Sequence, residues 1–245
     1  MAYEKRNVST AEGAMTVHIT IPEKVDAKKP ALIVLQEAFG VNHHILNVCK
    51  RLAEHGYVAL APELFHRAGE GIVVEYTNFQ AARPLLGGLT NARLIEDMTQ
   101  TFQLAKTLPF VDSTKIGTIG FCMGGFAALL AACHIDLTAA ISFYGGGMTE
   151  ERPGFAFKPY MHEFKSIKCP VLMGFGAEDQ SIPPAQIDLI RDQLKQAHVK
   201  AEIVVYPEAQ HGFLCDERSS FNPKMADKGW KDIFNWLQQY GRMTL

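Results

Sequence analysis

Gly120-Phe121-Cys122-Met123-Gly124-Gly125 follows the apolar run Lys115-Ile116-Gly117-Thr118-Ile119 and opens onto Phe126-Ala127-Ala128-Leu129-Leu130-Ala131-Ala132. The order reads as strand, sharp turn, helix. Its form is Gly-x-nucleophile-x-Gly-Gly, with cysteine as the nucleophile at the point where the strand bends into the helix. Glycines are required on either side, because a side chain at Gly120 or Gly124 would collide with the neighbouring strand or helix. The position favours chemistry in two ways. A helix N-terminus stabilises a thiolate and any developing oxyanion, and the Met123 amide is free to donate to that oxyanion. An isolated free cysteine is more often a small core hydrophobe, but strand, glycines and helix together favour the nucleophile.

Upstream of this turn, Met15-Thr16-Val17-His18-Ile19-Thr20-Ile21-Pro22 alternates apolar and polar residues, which predicts a half-exposed antiparallel strand at a sheet edge. Ala31-Leu32-Ile33-Val34-Leu35 is continuously apolar and suits a buried parallel strand ending at Gln36-Glu37-Ala38-Phe39-Gly40. Open α/β sheets place ligands at such strand ends, so Glu37 is the first charge near a candidate site. Asn42 fits the N-cap of a helix through Ile45, Val48, Cys49, Leu52 and Ala53, with His43 and His44 expected to face solvent in its first turn. Tyr57-Val58-Ala59-Leu60-Ala61 is the next strand. From Glu63 to Thr90 no periodicity is sustained, and such excursions often form binding loops or lids. Arg67 and Arg83 are its candidate anion-binding groups. Asn91 is expected to cap a helix running to Leu108-Pro109.

Downstream, Ala139-Ala140-Ile141-Ser142-Phe143-Tyr144 is a strand closed by Gly145-Gly146-Gly147, and Met148 to Ser166 is a second irregular excursion. A strand from Cys169 to Gly176 runs into Ala177-Glu178-Asp179, and Pro183-Pro184 starts a helix through Ile187, Ile190 and Leu194. The last strand, Ala201 to Tyr206, is followed by a loop holding His211-Gly212-Phe213 and by a final helix using Ala226, Trp230, Ile233 and Leu237. Strands alternating with helices along the whole length predict one α/β domain over residues 1–245, with a doubly wound, mostly parallel sheet and helices on both faces.

Composition narrows the function. The 245 residues are 47% hydrophobic and 20% charged, with a net charge of -2, which gives no general attraction to nucleic acid or an anionic membrane. The apolar stretches are far short of a membrane span, and Met1-Ala2-Tyr3-Glu4-Lys5-Arg6 has no signal-peptide core, so a cytoplasmic protein is expected. Cys49, Cys122, Cys133, Cys169 and Cys215 form an odd set without a Cys-x-x-Cys pair, which argues against a disulfide framework or a zinc site.

Cys122, Asp179 and His211 come in the order nucleophile, acid, histidine, each just beyond an expected strand. They therefore project from one edge of the sheet. His211 can take the thiol proton and return it to a leaving group, and Asp179 can fix the imidazole tautomer. With these residues in hand, Gln36-Glu37-Ala38-Phe39-Gly40, the cysteine turn, Gly176-Ala177-Glu178-Asp179 and His211-Gly212-Phe213 together resemble the dienelactone hydrolase (carboxymethylenebutenolidase) family of α/β-hydrolases. The resemblance implies Cys122 as nucleophile, His211 as base, Asp179 as its orienter and Glu37 as a carboxylate contacting the resting thiol. It implies an oxyanion hole of the Met123 and Ala38 amides, and no metal or organic cofactor.

Family members that cleave dienelactone are expected to hold its carboxylate with arginines, one shortly after the histidine. Here Cys215 stands four residues beyond His211, and Arg218 is the nearest arginine; Arg83 or Arg218 are the candidates for a substrate anion. The expected activity is hydrolysis of a small-molecule lactone or carboxylic ester through an acyl-cysteine intermediate, in a monomer or small homo-oligomer. Another acyl hydrolase, acting on thioesters or small peptides, and a ligand-binding or thiol-sensing scaffold are the alternatives.

Overall fold

The computed structural model describes residues 1–239 and contains a single eight-stranded sheet in the order β1-β2-β4-β3-β5-β6-β7-β8. β1 (Ala2–Thr10) and β2 (Gly13–Ile21) form an antiparallel hairpin, and β2 pairs antiparallel with β4 (Val58–Pro62). The remaining pairings, through β3 (Lys29–Leu35), β5 (Val111–Phe121), β6 (Ala140–Phe143), β7 (Val171–Gly176) and β8 (Ala201–Tyr206), are all parallel. This is the doubly wound, mostly parallel α/β arrangement that the strand and helix alternation predicts.

From β3 the chain passes through α1 (His43–Glu54) to β4 on one side, then returns through α2 (Phe79–Leu86) and α3 (Asn91–Thr107) to β5 on the other. Right-handed crossovers in opposite directions put α1 and α3 on opposite faces. α4 (Met123–His134) packs beside α3, while α6 (Pro223–Gln239) lies beside α1, with the Phe234 ring stacked on His55 at 3.7 Å. α5 (Pro184–Gln196) connects β7 to β8. Both faces of the central strands are thus covered, which is why β3 and β4 read as unbroken apolar runs. The reversal of direction falls between β3 and β5, the place where open α/β sheets carry ligands.

Four local expectations are corrected. Met15–Pro22 does not form a sheet edge: β1 takes the edge, and Met15, Val17 and Ile19 are wholly buried. The polar alternation of β2 arises because its inward His18 is bonded to Glu63 at 2.7 Å and to the Tyr3 hydroxyl at 2.7 Å. The N-cap of α3 is Thr90, whose side chain accepts from the Arg93 amide, and Asn91 is the first helical residue. Within the excursion from Glu63 to Thr90 lies α2, capped by Asn78 and hidden from periodicity by its internal Pro84. Asn42 does cap α1, accepting from the Ile45 amide at 3.1 Å. His43 is exposed, but His44 is buried against Phe121 rather than facing solvent. No helix among the described residues is long and apolar enough to cross a membrane.

Candidate active site

β5 ends at Phe121 and α4 begins at Met123, so Cys122 alone makes the turn, with φ 56° and ψ -118°. That conformation is strained for a residue with a Cβ and persists only because its surroundings fix it. The glycines around it make the turn possible. A Cβ on Gly120 would lie 1.9 Å from the Gly124 carbonyl oxygen, and one on Gly124 would lie 2.1 Å from that of Leu35. α4 therefore seats directly on the ends of β3 and β5, and Cys122 is lifted above the sheet, partly exposed.

The loops after β7 and β8 bring Asp179 and His211 to the same edge. His211 Nδ1 donates to Asp179 Oδ2 at 2.7 Å, and the Ser181 amide donates to Asp179 Oδ1 at 2.8 Å, which locks the carboxylate. The imidazole and Cys122 line the same cavity and act on each other electrostatically. Burial opposes ionisation of the thiol, but the nearby imidazole outweighs it and holds Cys122 below the ordinary thiol value. Burial likewise opposes a charged imidazole, and the adjacent sulfur and Asp179 override it, raising His211 to about 10. Each group thus favours the charged form of the other, thiolate against imidazolium. The Tyr144 ring, at a centroid distance of 5.2 Å, packs against His211 and keeps it in place.

Glu37 follows β3, the neighbour of β5, and is fully buried. Both its oxygens are engaged: Oε1 by Arg218 Nη1 at 2.9 Å and Oε2 by the Tyr76 hydroxyl at 2.9 Å. Its influence on Cys122 is therefore exerted through its field, which raises the thiol. The Arg218 guanidinium lies over the rings of Phe39 and Tyr76, at 5.7 and 5.6 Å, so its direction is fixed as well as its charge.

Above Cys122 opens a cavity of about 170 Å³, lined by Ala38, Met123, His211 and Arg218 and walled by Phe39, Phe79, Leu86, Phe155 and Phe157. Two of the candidate arginines lie elsewhere. Arg83 sits on α2 and is not among the residues lining this cavity. Arg67 is consumed by a bidentate pair with buried Asp97 at 2.8 and 2.9 Å and by Glu12 at 2.6 Å, so it is a structural cation. The cavity's second arginine is Arg152, which donates to the Ser181 carbonyl at 2.7 Å. Sequence reasoning missed Arg152 and Tyr76 because both come from irregular segments; the available signal was that each lies in a long excursion, Met148 to Ser166 and Glu63 to Thr90.

The comparisons agree with this geometry. A family model described as "Dienelactone hydrolase family" matches residues 15–241. A Synechocystis protein provisionally named a carboxymethylenebutenolidase is 39% identical over 211 residues, covering 85% of this chain and 85% of its own. One of the same provisional name from Yersinia pestis is 35% identical, covering 93% of this chain and 84% of its own. A crystal structure from Klebsiella pneumoniae, provisionally a dienelactone hydrolase, superposes with a TM-score of 0.87 at 32% identity, covering 98% of this chain and 99% of that one.

Proposed function

Since this chain belongs to the dienelactone hydrolase family, we propose that it hydrolyses a small lactone or carboxylic ester through an acyl-cysteine formed on Cys122. The observation that carries the proposal is that Cys122, at a strained turn, and His211, bonded to Asp179 at 2.7 Å, line one cavity.

The Cys122 thiolate attacks the carbonyl carbon, and the displaced electron pair collects on oxygen, where the Met123 and Ala38 amides donate to it. Met123 opens α4, so the helix N-terminus adds its positive end to the same charge. As the tetrahedral species collapses, the C–O bond breaks and the imidazolium of His211 protonates the leaving alkoxide or enolate. Neutral His211 then removes a proton from water, which attacks the thioester carbonyl. The acid leaves, and Cys122 is returned as thiolate. Asp179 holds the ring so that Nε2 faces sulfur throughout. No step calls on a metal or an organic cofactor.

The cavity is smaller than the about 300–1,000 Å³ of drug-sized sites, so the substrate is small. Its aromatic walls accept an apolar acyl portion, while Arg152 and Arg218 bias the rim towards an anionic group.

A panel of chromogenic esters and of lactones, cis- and trans-dienelactone included, tests this reading. Wild-type protein should turn over at least one of them and acquire the acyl mass on Cys122 in quenched samples. Cys122→Ala should lose about 10³-fold or more in kcat/KM. Turnover that survives this substitution would refute the cysteine mechanism.

A further inference from the structure

Behind Arg218, which lines the catalytic cavity and is bonded to Glu37, lies a group of side chains of which His44 and Cys215 take no part in the steps of hydrolysis. Glu37 and Cys215 are fully buried and His44 is 4% exposed. One ligand atom from each, a carboxylate oxygen, a ring nitrogen and Sγ, all lie within 4.8 Å of one another. His44 Nε2 is buried without a hydrogen-bond partner, and so is the Tyr144 hydroxyl, which interacts electrostatically with Glu37 and Cys215. Unpartnered buried polar atoms are costly, and the one on His44 belongs to a side chain whose ring nitrogen lies within 4.8 Å of the other two donors.

We propose that Glu37, His44 and Cys215 form a binding site for a thiophilic divalent cation of the Zn²⁺ class, and that its occupation inhibits the hydrolase. Sulfur, imidazole nitrogen and carboxylate oxygen are the donor set that Zn²⁺ selects, and harder cations such as Mg²⁺ would be excluded by the thiolate. Tetrahedral coordination needs ligand atoms about 3.3–3.6 Å apart, so the three must draw in by roughly 1 Å, within reach of side-chain rotation. As the S–metal bond forms, the Cys215 thiol proton leaves to solvent, and thiolate and carboxylate together neutralise the ion.

The existing contacts are compatible with this. Arg218 holds Glu37 Oε1, so Oε2 is the oxygen to be exchanged from the Tyr76 hydroxyl to the ion, with Arg218 remaining as the outer partner of the ligating carboxylate. Cys215 Sγ presently donates to the Tyr76 hydroxyl at 3.2 Å, and Asn42 Nδ2 donates to the same oxygen at 2.9 Å. Tyr76 is thus the fourth group within reach. An entry path exists as well: His44 lines a surface groove of about 260 Å³ together with Asp216, Asp227 and Glu54, and its Nδ1 lies 3.8 Å from Asp216. Inhibition follows from Glu37. Drawn towards the ion, it pulls Arg218 from its place at the cavity wall, a consequence that rests on the hydrolytic reading given above.

The test uses the full chain carrying Cys122→Ala, so that the catalytic thiol cannot bind the probe. Titration with Cd²⁺, followed by thiolate-to-metal charge-transfer absorbance, should saturate at one equivalent. Adding Cys215→Ser should abolish the absorbance, and adding His44→Gln should weaken binding by at least about 10-fold. Absence of a saturable signal, or a signal indifferent to His44→Gln, overturns the site; His44→Gln also decides the matter if Cys215→Ser fails to fold. In a second arm, Zn²⁺ should inhibit ester turnover by protein with Cys122 intact, and His44→Gln should shift the inhibitory concentration upward by a similar factor. Inhibition unchanged by His44→Gln would overturn the regulatory role. Protein without any turnover would count against the hydrolytic reading alone, since the Cd²⁺ titration reads the site independently.

Discussion

At Cys122 the local chemistry is set by two opposed influences. Burial and the field of Glu37 disfavour the thiolate; the imidazole of His211 favours it and prevails. The thiolate-imidazolium pair exists between the lowered pKa of the thiol and the raised pKa of the imidazole. kcat/KM should therefore be bell-shaped in pH, rising on an acid limb below the ordinary thiol range and falling as His211 loses its proton. Asp179→Asn removes the charge that supports the imidazolium. The His211 pKa should then fall, the thiol pKa should rise, and the acid limb should move to higher pH while kcat/KM drops by about 10²–10⁴-fold. A pH–rate profile of the two proteins checks this, and an acid limb that stays in place would disconnect Asp179 from the thiol. The placement of Cys122, Asp179 and His211 was legible in the sequence because each directly follows a strand, and strand ends in a parallel sheet share one edge. Arg152, Tyr76 and the engagement of Glu37 by Arg218 were not, because they depend on how irregular segments cross that edge, and such segments carry no periodicity to read.

Individual elements are tied together by buried charge as well as by apolar packing. Asp97 of α3 is completely buried and held by Arg67, which also reaches Glu12 in the β1–β2 turn. Arg93 of α3 pairs with the same glutamate. A hairpin, a 3₁₀ turn at His66–Ala68 and a long helix thus share one ionic node. Removing one charge from such a node strands the other in the interior, so Asp97→Asn should cost about 3 kcal/mol in urea unfolding. Glu12 is held down to about 2 by its hydrogen bonds to Arg93 and Arg67, below its ordinary value of 4.5. A depressed carboxylate contributes stability that is present above its unfolded pKa and lost as pH falls through the folded one. The melting temperature should accordingly fall between about pH 4.5 and 2, and Glu12→Gln should remove part of that fall. A pH dependence identical in the variant would exclude Glu12 as its source. Elements were legible where the pattern is unmixed, as in the apolar runs of β3 and β4 and the helical spacing of α1. β2 was misread as an edge because its polar residues are satisfied internally, and pairing of His18 with distant Glu63 leaves no mark on the local pattern.

Across the whole molecule, the sheet is finished at one side by β1, whose exposed residues include Lys5 and Arg6 and so discourage further strand addition. β2 beside it is buried from Met15 to Thr20. Deleting residues 2–10 should therefore expose Met15, Val17 and Ile19 on an unprotected edge. The shortened chain should lose stability and elute from size-exclusion columns as higher-mass species. A monodisperse product eluting like the parent would show the hairpin to be dispensable. The reactive centre draws on both ends of the polypeptide. Sulfur and Glu37 arrive with the strands of the first half, whereas Asp179 and His211 arrive only with β7 and β8, the last strands made. On the proposed mechanism, a chain emerging from the ribosome carries an ordinary thiol, and the group that lowers its pKa reaches it only when the final strand docks. On that mechanism the order of translation would delay alkylation or oxidation of Cys122 until the sheet is complete.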